Sequence, residues 1–448
     1  MNDQTVTLTR RRWLQCGGAF VSSLLLPRLL RAREKQPNSA PARQVIVIYL
    51  QGGLSHYESF DPKPEAPSAH RGEFGQIATS LPGVRFSEHL PRLAQRAHKF
   101  NVIRSVYVDS PSHNSSIHQT LTGWKYLNAN TEDKTHNNIH PAIGSIVARS
   151  CESRVPGLPA YVTVPHSGQL GIRVHYASAG LLGAAYEPVD SGMLPVRSDE
   201  AYTGPKSLEL HRELTSEKIG DRLALRQAFD RSADSTDADG LAKFYRQAKD
   251  ILVRGDAARA FDLSREPRQM RERYGNHLWG QQTILARRLA EAGVPFTLVN
   301  YTLDQARGQD WDTHVDNFNE LKNRLLPPMD LAVSTLLDDL ENRGLLDTTL
   351  VAMFGEFGRT PVINKNAGRD HWNNVFSVML AGGGLKSGVV VGSSTRGGDL
   401  PLDRPTHFSD VVATIYHQLG VPMDEMLRDP LNRPIPVLDG GKPIAELI

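Results

Sequence analysis

A carboxylate, a guanidinium and an imidazole stand close together in Gly355-Glu356-Phe357-Gly358-Arg359-Thr360-Pro361 and the following Gly368-Arg369-Asp370-His371-Trp372. Carboxylate and imidazole are donor types that hold a hard-to-borderline divalent metal. The segment follows the apolar run Thr349 to Phe354, which reads as a buried strand, so these groups are delivered to one strand end. In open α/β sheets that edge is where sites are built. A surface turn carrying an Arg–carboxylate pair is the plainer alternative, because structural ion pairs also gather at strand ends. Three further polar clusters weigh against it: His56, Glu58 and Asp61 in GGLSHYESFDPKP, the stretch Ser110 to His118 containing Ser112 and His113, and Trp311-Asp312-Thr313-His314-Val315-Asp316. Taken singly, each has an ordinary explanation as a core histidine or a helix N-cap. Four such clusters beside four candidate strand ends point to one shared site.

The elements that must position these groups are legible as runs. Val45 to Leu50 is β-branched and apolar without polar alternation, the pattern of a strand covered on both faces. Further strand candidates are Asn101 to Val108, Pro295 to Asn300, Thr349 to Phe354 and Phe376 to Ala381. Between them lie helical patterns, Leu278 to Ala292 with a stop at Gly293 and Met329 to Asn342 with a stop at Gly344. Strands alternating with helices predict an α/β fold, a doubly wound and mostly parallel sheet with helices on both faces. Residues 197–273 are rich in Arg, Asp, Ala and Gln with no strand run, and read as a helical insertion or cap within one domain spanning 45–448.

The N-terminus reads as an address. Thr9-Arg10-Arg11-Arg12-Trp13-Leu14 precedes a short apolar run from Cys16 to Leu26, then Pro27 and a basic flank, the layout of a twin-arginine export signal over residues 1–35. A linker over 36–44 follows. The run is broken by Gly17, Gly18, Ser22 and Ser23, and no clean cleavage site is read after it, so both a periplasmic or extracellular product and an uncleaved anchor are expected outcomes of export. Residues 1–35 carry seven Lys/Arg against two Asp/Glu, so the formal +2 of the whole chain becomes about −3 for residues 36–448. That balance argues against nucleic acid as a partner. Outside the signal stands one cysteine, Cys151, so no intramolecular disulfide can form there and stability must come from a large core.

GGLSHYESFDPKP, SHNSSIHQTLTG, GQQTILARRLAEAGV, WDTHVDNF, LLDTTLVAMFGEFGRTPVIN and GRDHWNNVFSVMLAGGG, with the leading twin-arginine signal, resemble a family of exported proteins of unknown function. That family is classed as sulfatase-like, within the alkaline-phosphatase superfamily. The resemblance implies two divalent metals, or one as in sulfatases, at the carboxyl ends of the strands, with zinc, calcium, magnesium and manganese all open. It implies a hydroxyl or modified cysteine attacking a sulfate or phosphate ester. The positions that match the superfamily's ligands are His56 and Glu58, Asp312 and His314, Glu356, and Asp370 with His371. Arg359 matches an oxyanion clamp, because its fork suits a tetrahedral anion.

Departures accompany the resemblance. The first strand is followed by Gln51, then His56 and Glu58, where the superfamily places an aspartate, and the strand exit reads Glu356-Phe357 where Asp-His or Asp-Asn is expected. The nucleophile position falls near His113, flanked by Ser112 and Ser115, outside the sulfatase pattern. His113 is thus a ligand, a base or an acceptor. Two function classes follow: an exported metal-dependent hydrolase of anionic esters, with a sulfated or phosphorylated polymer among its substrates, or a catalytically degenerate fold serving as a cell-surface binding or assembly protein. The twin-arginine export machinery is a partner in both.

Overall fold

Each long apolar run forms a strand of one sheet. The computed structural model describes residues 40–125, 140–151, 156–167, 176–208, 215–230, 236–302, 310–429 and 431–448. Residues 1–35, read above as an export signal, lie outside the described residues. The chain divides into Met1–Ala40 and a unit Pro41–Ile448 that holds the sheet and the site.

The strands that matter are β1 (Gln44–Tyr49), β2 (Phe100–Tyr107), β3 (Tyr161–Val164), β4 (Val189–Asp190), β5 (Phe296–Asn300), β6 (Thr349–Phe354), β7 (Gly358–Arg359), β8 (His371–Trp372), β9 (Phe376–Gly382), β10 (Val390–Val391) and β11 (Thr406–His407). The main sheet runs β10-β2-β9-β6-β1-β5-β3-β4, with β11 also beside β2. Only β9 runs antiparallel to its neighbours, β2 and β6. Strands β1, β2, β5 and β6 therefore point the same way and release their chains at one edge.

Both faces of the sheet are covered, as the unbroken apolar runs require. In β1, Ile46 and Ile48 enter one core together with the helices α3 (Leu278–Ala292) and α4 (Leu326–Asn342). Val45, Val47 and Tyr49 enter the other, with α1 (His113–Thr122), α2 (Ile143–Cys151) and α5 (Phe408–Leu419). The period-2 alternation of the strand assigns alternate side chains to opposite layers. Helix α3 stops at Gly293, in the left-handed region at φ 105°, as its sequence predicts. Helix α4 begins three residues earlier than its apolar pattern suggests, with Pro327 and Pro328 in its first turn and a π-helical turn, Leu321–Leu325, directly before it. Among the described residues of 197–273 the regular structure is all helical, with Ser216–Asp230, Thr236–Arg254, Asp256–Phe261 and Arg268–Tyr274 as α-helices. No helix among the described residues is long and apolar enough to cross a membrane.

Candidate metal centre

The chain leaving β1 turns at Gly52 and Gly53, both at positive φ, and a Cβ at Gly52 would collide with the backbone of Asp312. Only glycine allows the strand exits of β1 and β5 to approach this closely. Beside them, β6 exits into Gly355-Glu356-Phe357, and the short ribbon β7–β8 sets Arg359 opposite His371. Helix α1 begins at His113, with Ser112 as its N-cap residue, and delivers that imidazole to the same place.

Asp312 is the centre of the arrangement. His113 Nε2 lies 3.2 Å from its Oδ2, while His371 Nε2 and His314 Nε2 lie 3.0 and 3.1 Å from its Oδ1. The two latter imidazole nitrogens are 2.9 Å apart. Each ring is held from behind by an acceptor. His113 Nδ1 donates to Glu356 Oε1 (2.7 Å), His371 Nδ1 to the Pro111 carbonyl (2.9 Å) and His314 Nδ1 to Asp370 Oδ1 (2.7 Å). Carboxylates and carbonyls can only accept, so the three Nδ1 atoms carry the hydrogens and the Nε2 atoms are turned inward. His371 Nε2, His314 Nε2 and Asp312 Oδ1 then form a triangle of electron pairs that a proton or a cation must occupy. His113, Asp312 and His371 have ligand atoms within 4.8 Å of one another, a spacing that can hold a metal ion.

Electrostatics follow the same geometry. Burial favours a raised Asp312, but hydrogen bonds from His113 and His371 and the charge of Arg359 hold its carboxyl far below the usual range. Burial would lower His113, yet hydrogen bonds to Asp312 and Glu356 raise it to about 9. His371 is lowered by burial, with the Asp312 bond offsetting part of that, and Asp370 is lowered by its hydrogen bond from His314. An inward-facing set of imidazoles around an ionised carboxylate is a donor set that fits a borderline divalent cation.

Five of the sequence-predicted groups are placed differently from their expected roles, Asp370 among them, since its Oδ1 accepts from His314 Nδ1 and backs that ring. Arg359 is wholly buried, and its N–H groups go to the carbonyls of Gly52, Gly53, Trp311 and Arg369 and to Asp312 Oδ1 at 2.6 Å. Held through Nε, Nη1 and Nη2 and shut off from solvent, the arginine is a strut under Asp312. Glu356 is also wholly buried, and both its oxygens accept from Gly52 N–H (2.8 and 3.0 Å) while Oε1 takes His113, so it backs that imidazole from outside the His113–Asp312–His371 cluster. Glu58 pairs with the buried Arg369, at 2.7 Å. His56 lies against Tyr57 and donates from Nε2 to the Gly398 carbonyl at 2.9 Å, with burial lowering its pKa to about 4. Glu58 and His56 therefore brace the loops around the centre. Sequence reasoning missed Arg369 and Phe357. Arg369 stood beside Asp370 in the motif and could have been matched to Glu58 as a buried charge needing a partner.

A family model described as a protein of unknown function (DUF1501) matches residues 42–448. The chain belongs to the DUF1501 family. A search of curated proteins found no match for this DUF1501 chain. Solved structures are similar to it at low identity. Ps i-CgsB in complex with k-i-k-neocarrahexaose is 13% identical with a TM-score of 0.41, over 86% of this chain and 73% of that one. The PsFucS1 sulfatase from Pseudoalteromonas sp. is 12% identical with a TM-score of 0.38, over 88% and 70%. The C-terminal periplasmic domain of EcEptC from Escherichia coli, in complex with Zn, is 8% identical with a TM-score of 0.39, over 92% and 94%.

Proposed function

We propose that this DUF1501 protein is an exported, metal-dependent hydrolase of sulfate or phosphate esters. The observation that carries the reading is the convergence of three inward-facing imidazole nitrogens on Asp312 at the carboxyl edge of the sheet. His113, Asp312 and His371 would hold a divalent cation, with His314 beside them. When bound, that cation supplies charge that stabilises an attacking oxygen and screens the ester oxygens. Ser112 supplies the attacking hydroxyl in this reading. It stands at the N-cap of α1 with no capping bond from its side chain, next to Pro111 and His113 of the centre. Attack by Ser112 Oγ would form a bond to sulfur or phosphorus as the bond to the departing alcohol breaks, the serine proton ending on that alcohol's oxygen; water would then bond to sulfur or phosphorus as the bond to Oγ breaks, one of its protons returning to Ser112. The unpaired N–H groups of the first turn of α1 favour negative charge at that end.

A second reading, a binding or assembly protein that keeps the centre, is favoured by one observation: Arg359 is consumed as a strut, so the expected clamp for an anionic ester is gone.

Turnover of metal-loaded protein on 4-nitrophenyl sulfate and bis(4-nitrophenyl) phosphate separates the two. The hydrolase reading expects turnover in the parent and a loss of roughly three orders of magnitude or more in Ser112→Ala, as removal of a nucleophile produces. Full activity in Ser112→Ala would reassign the attacking oxygen, and an inert parent would favour the binding protein.

A further inference from the structure

The turn that leaves β6 touches His113, Asp312 and His371 of the candidate centre. Glu356 Oε1 holds His113 by Nδ1 at 2.7 Å, and Arg359 holds Asp312 by Oδ1 at 2.6 Å. Between them, the Phe357 ring lies against two imidazoles, with centroids 5.0 Å from His113 and 4.4 Å from His371. The signs are matched to the task. A negative group backs an imidazole, which must keep its Nδ1 hydrogen and present a bare Nε2, and a positive group backs a carboxylate.

The turn is itself locked. Gly52 N–H donates to both oxygens of Glu356, and the Gly52 and Gly53 carbonyls accept from Arg359. A Cβ on Gly355 would stand 2.7 Å from the Leu50 carbonyl oxygen, and one on Gly358 would strike the Val375 carbonyl. The two glycines thus let the turn lie flush against the exits of β1 and the approach to β9. Glu356 and Phe357 are wholly buried, so neither samples solvent in place of these contacts.

We propose that Glu356, Phe357 and Arg359 form the positioning shell of the centre, fixing His113, His371 and Asp312 in place before a cation arrives. This rests on the metal reading given above. Glu356 is here a positioning residue that acts through His113, and the strand-exit motif is the frame of the site.

The test uses Glu356→Gln, which preserves shape and an oxygen for Gly52 N–H but removes the charge behind His113, and Phe357→Leu, which keeps apolar volume without the ring. Zinc affinity is measured by competition with a chromophoric chelator, and the visible absorption of the cobalt(II) forms reports the donor set. Glu356→Gln is expected to weaken zinc by about 10–100-fold, and Phe357→Leu by roughly tenfold, with cobalt band positions and intensities as in the parent. Unchanged zinc affinity in both variants overturns the proposal. So does a cobalt spectrum that shows a lost donor in Glu356→Gln, since Glu356 would then be a ligand. A parent that takes neither metal overturns the metal reading and the positioning shell together, and so is distinguishable from failure of the shell alone.

Discussion

Asp312→Ala is expected to weaken divalent-metal binding by at least about a hundredfold, beyond the range typical of groups that only back a ligand. Asp312 is the one carboxylate on which His113, His314 and His371 converge, and it also neutralises the buried Arg359. Its removal leaves the inward nitrogens without their central anion and Arg359 without its charged partner. The parent should show a matching dependence on pH. His113, raised to about 9 by its two carboxylate partners against the effect of burial, must release a proton before Nε2 can bind a cation. Affinity in the parent should therefore climb as pH rises toward about 9, by up to about tenfold per unit for this one proton, and fall as pH is lowered. Chelator competition at several pH values checks both parts. Affinity that is flat with pH, or unchanged in Asp312→Ala, would remove these residues from the metal site.

Glu58→Ala is expected to cost about 3–5 kcal/mol of folding stability, the usual effect of removing one partner of a buried ion pair. Glu58 and Arg369 are both buried, and Glu58 takes Arg369 Nη2 at 2.7 Å and Nε at 3.0 Å. The remaining Arg369 donors go to the carbonyls of His70, Thr360 and Pro361, and the guanidinium lies 4.3 Å from the Tyr57 ring centroid. Without the carboxylate, a full charge stays buried among carbonyls that satisfy its hydrogens but not its sign. Because Asp370 and His371 follow directly, the segment that carries these two side chains to the candidate centre should loosen as well. Urea unfolding measures the loss, and joint replacement of Glu58 by Leu and Arg369 by Met should recover part of it. A change below about 1 kcal/mol in Glu58→Ala would show that the carbonyls alone satisfy Arg369.

Much of the frame was legible because both faces of the sheet are covered. Val45 to Leu50 and Thr349 to Phe354 have no polar alternation, so they read as strands, and β1 and β6 occupy those positions within a residue. Tyr161–Val164 was not read, since four residues carry too little pattern, and the antiparallel setting of β9 depends on pairing across the sheet that no local run encodes. At the site, residue types were readable and roles were not. A carboxylate after a strand can ligate a metal, back a histidine or pair with an arginine, and Glu356 and Glu58 show the second and third of these. The difference lies in what three-dimensional packing sets against each oxygen. Arg359 has the chemistry of an anion clamp, and only its burial under the Gly52–Gly53 turn makes it a strut.

Crystals of the protein grown or soaked with zinc, with anomalous scattering recorded at the zinc edge, test the central claim most directly. An anomalous peak is expected among His113 Nε2, the Asp312 carboxylate and His371 Nε2, at about 2.0–2.2 Å from each donor atom. An empty position between those three groups in crystals that bind zinc elsewhere, or a peak ligated by His56 and Glu58 instead, would contradict it.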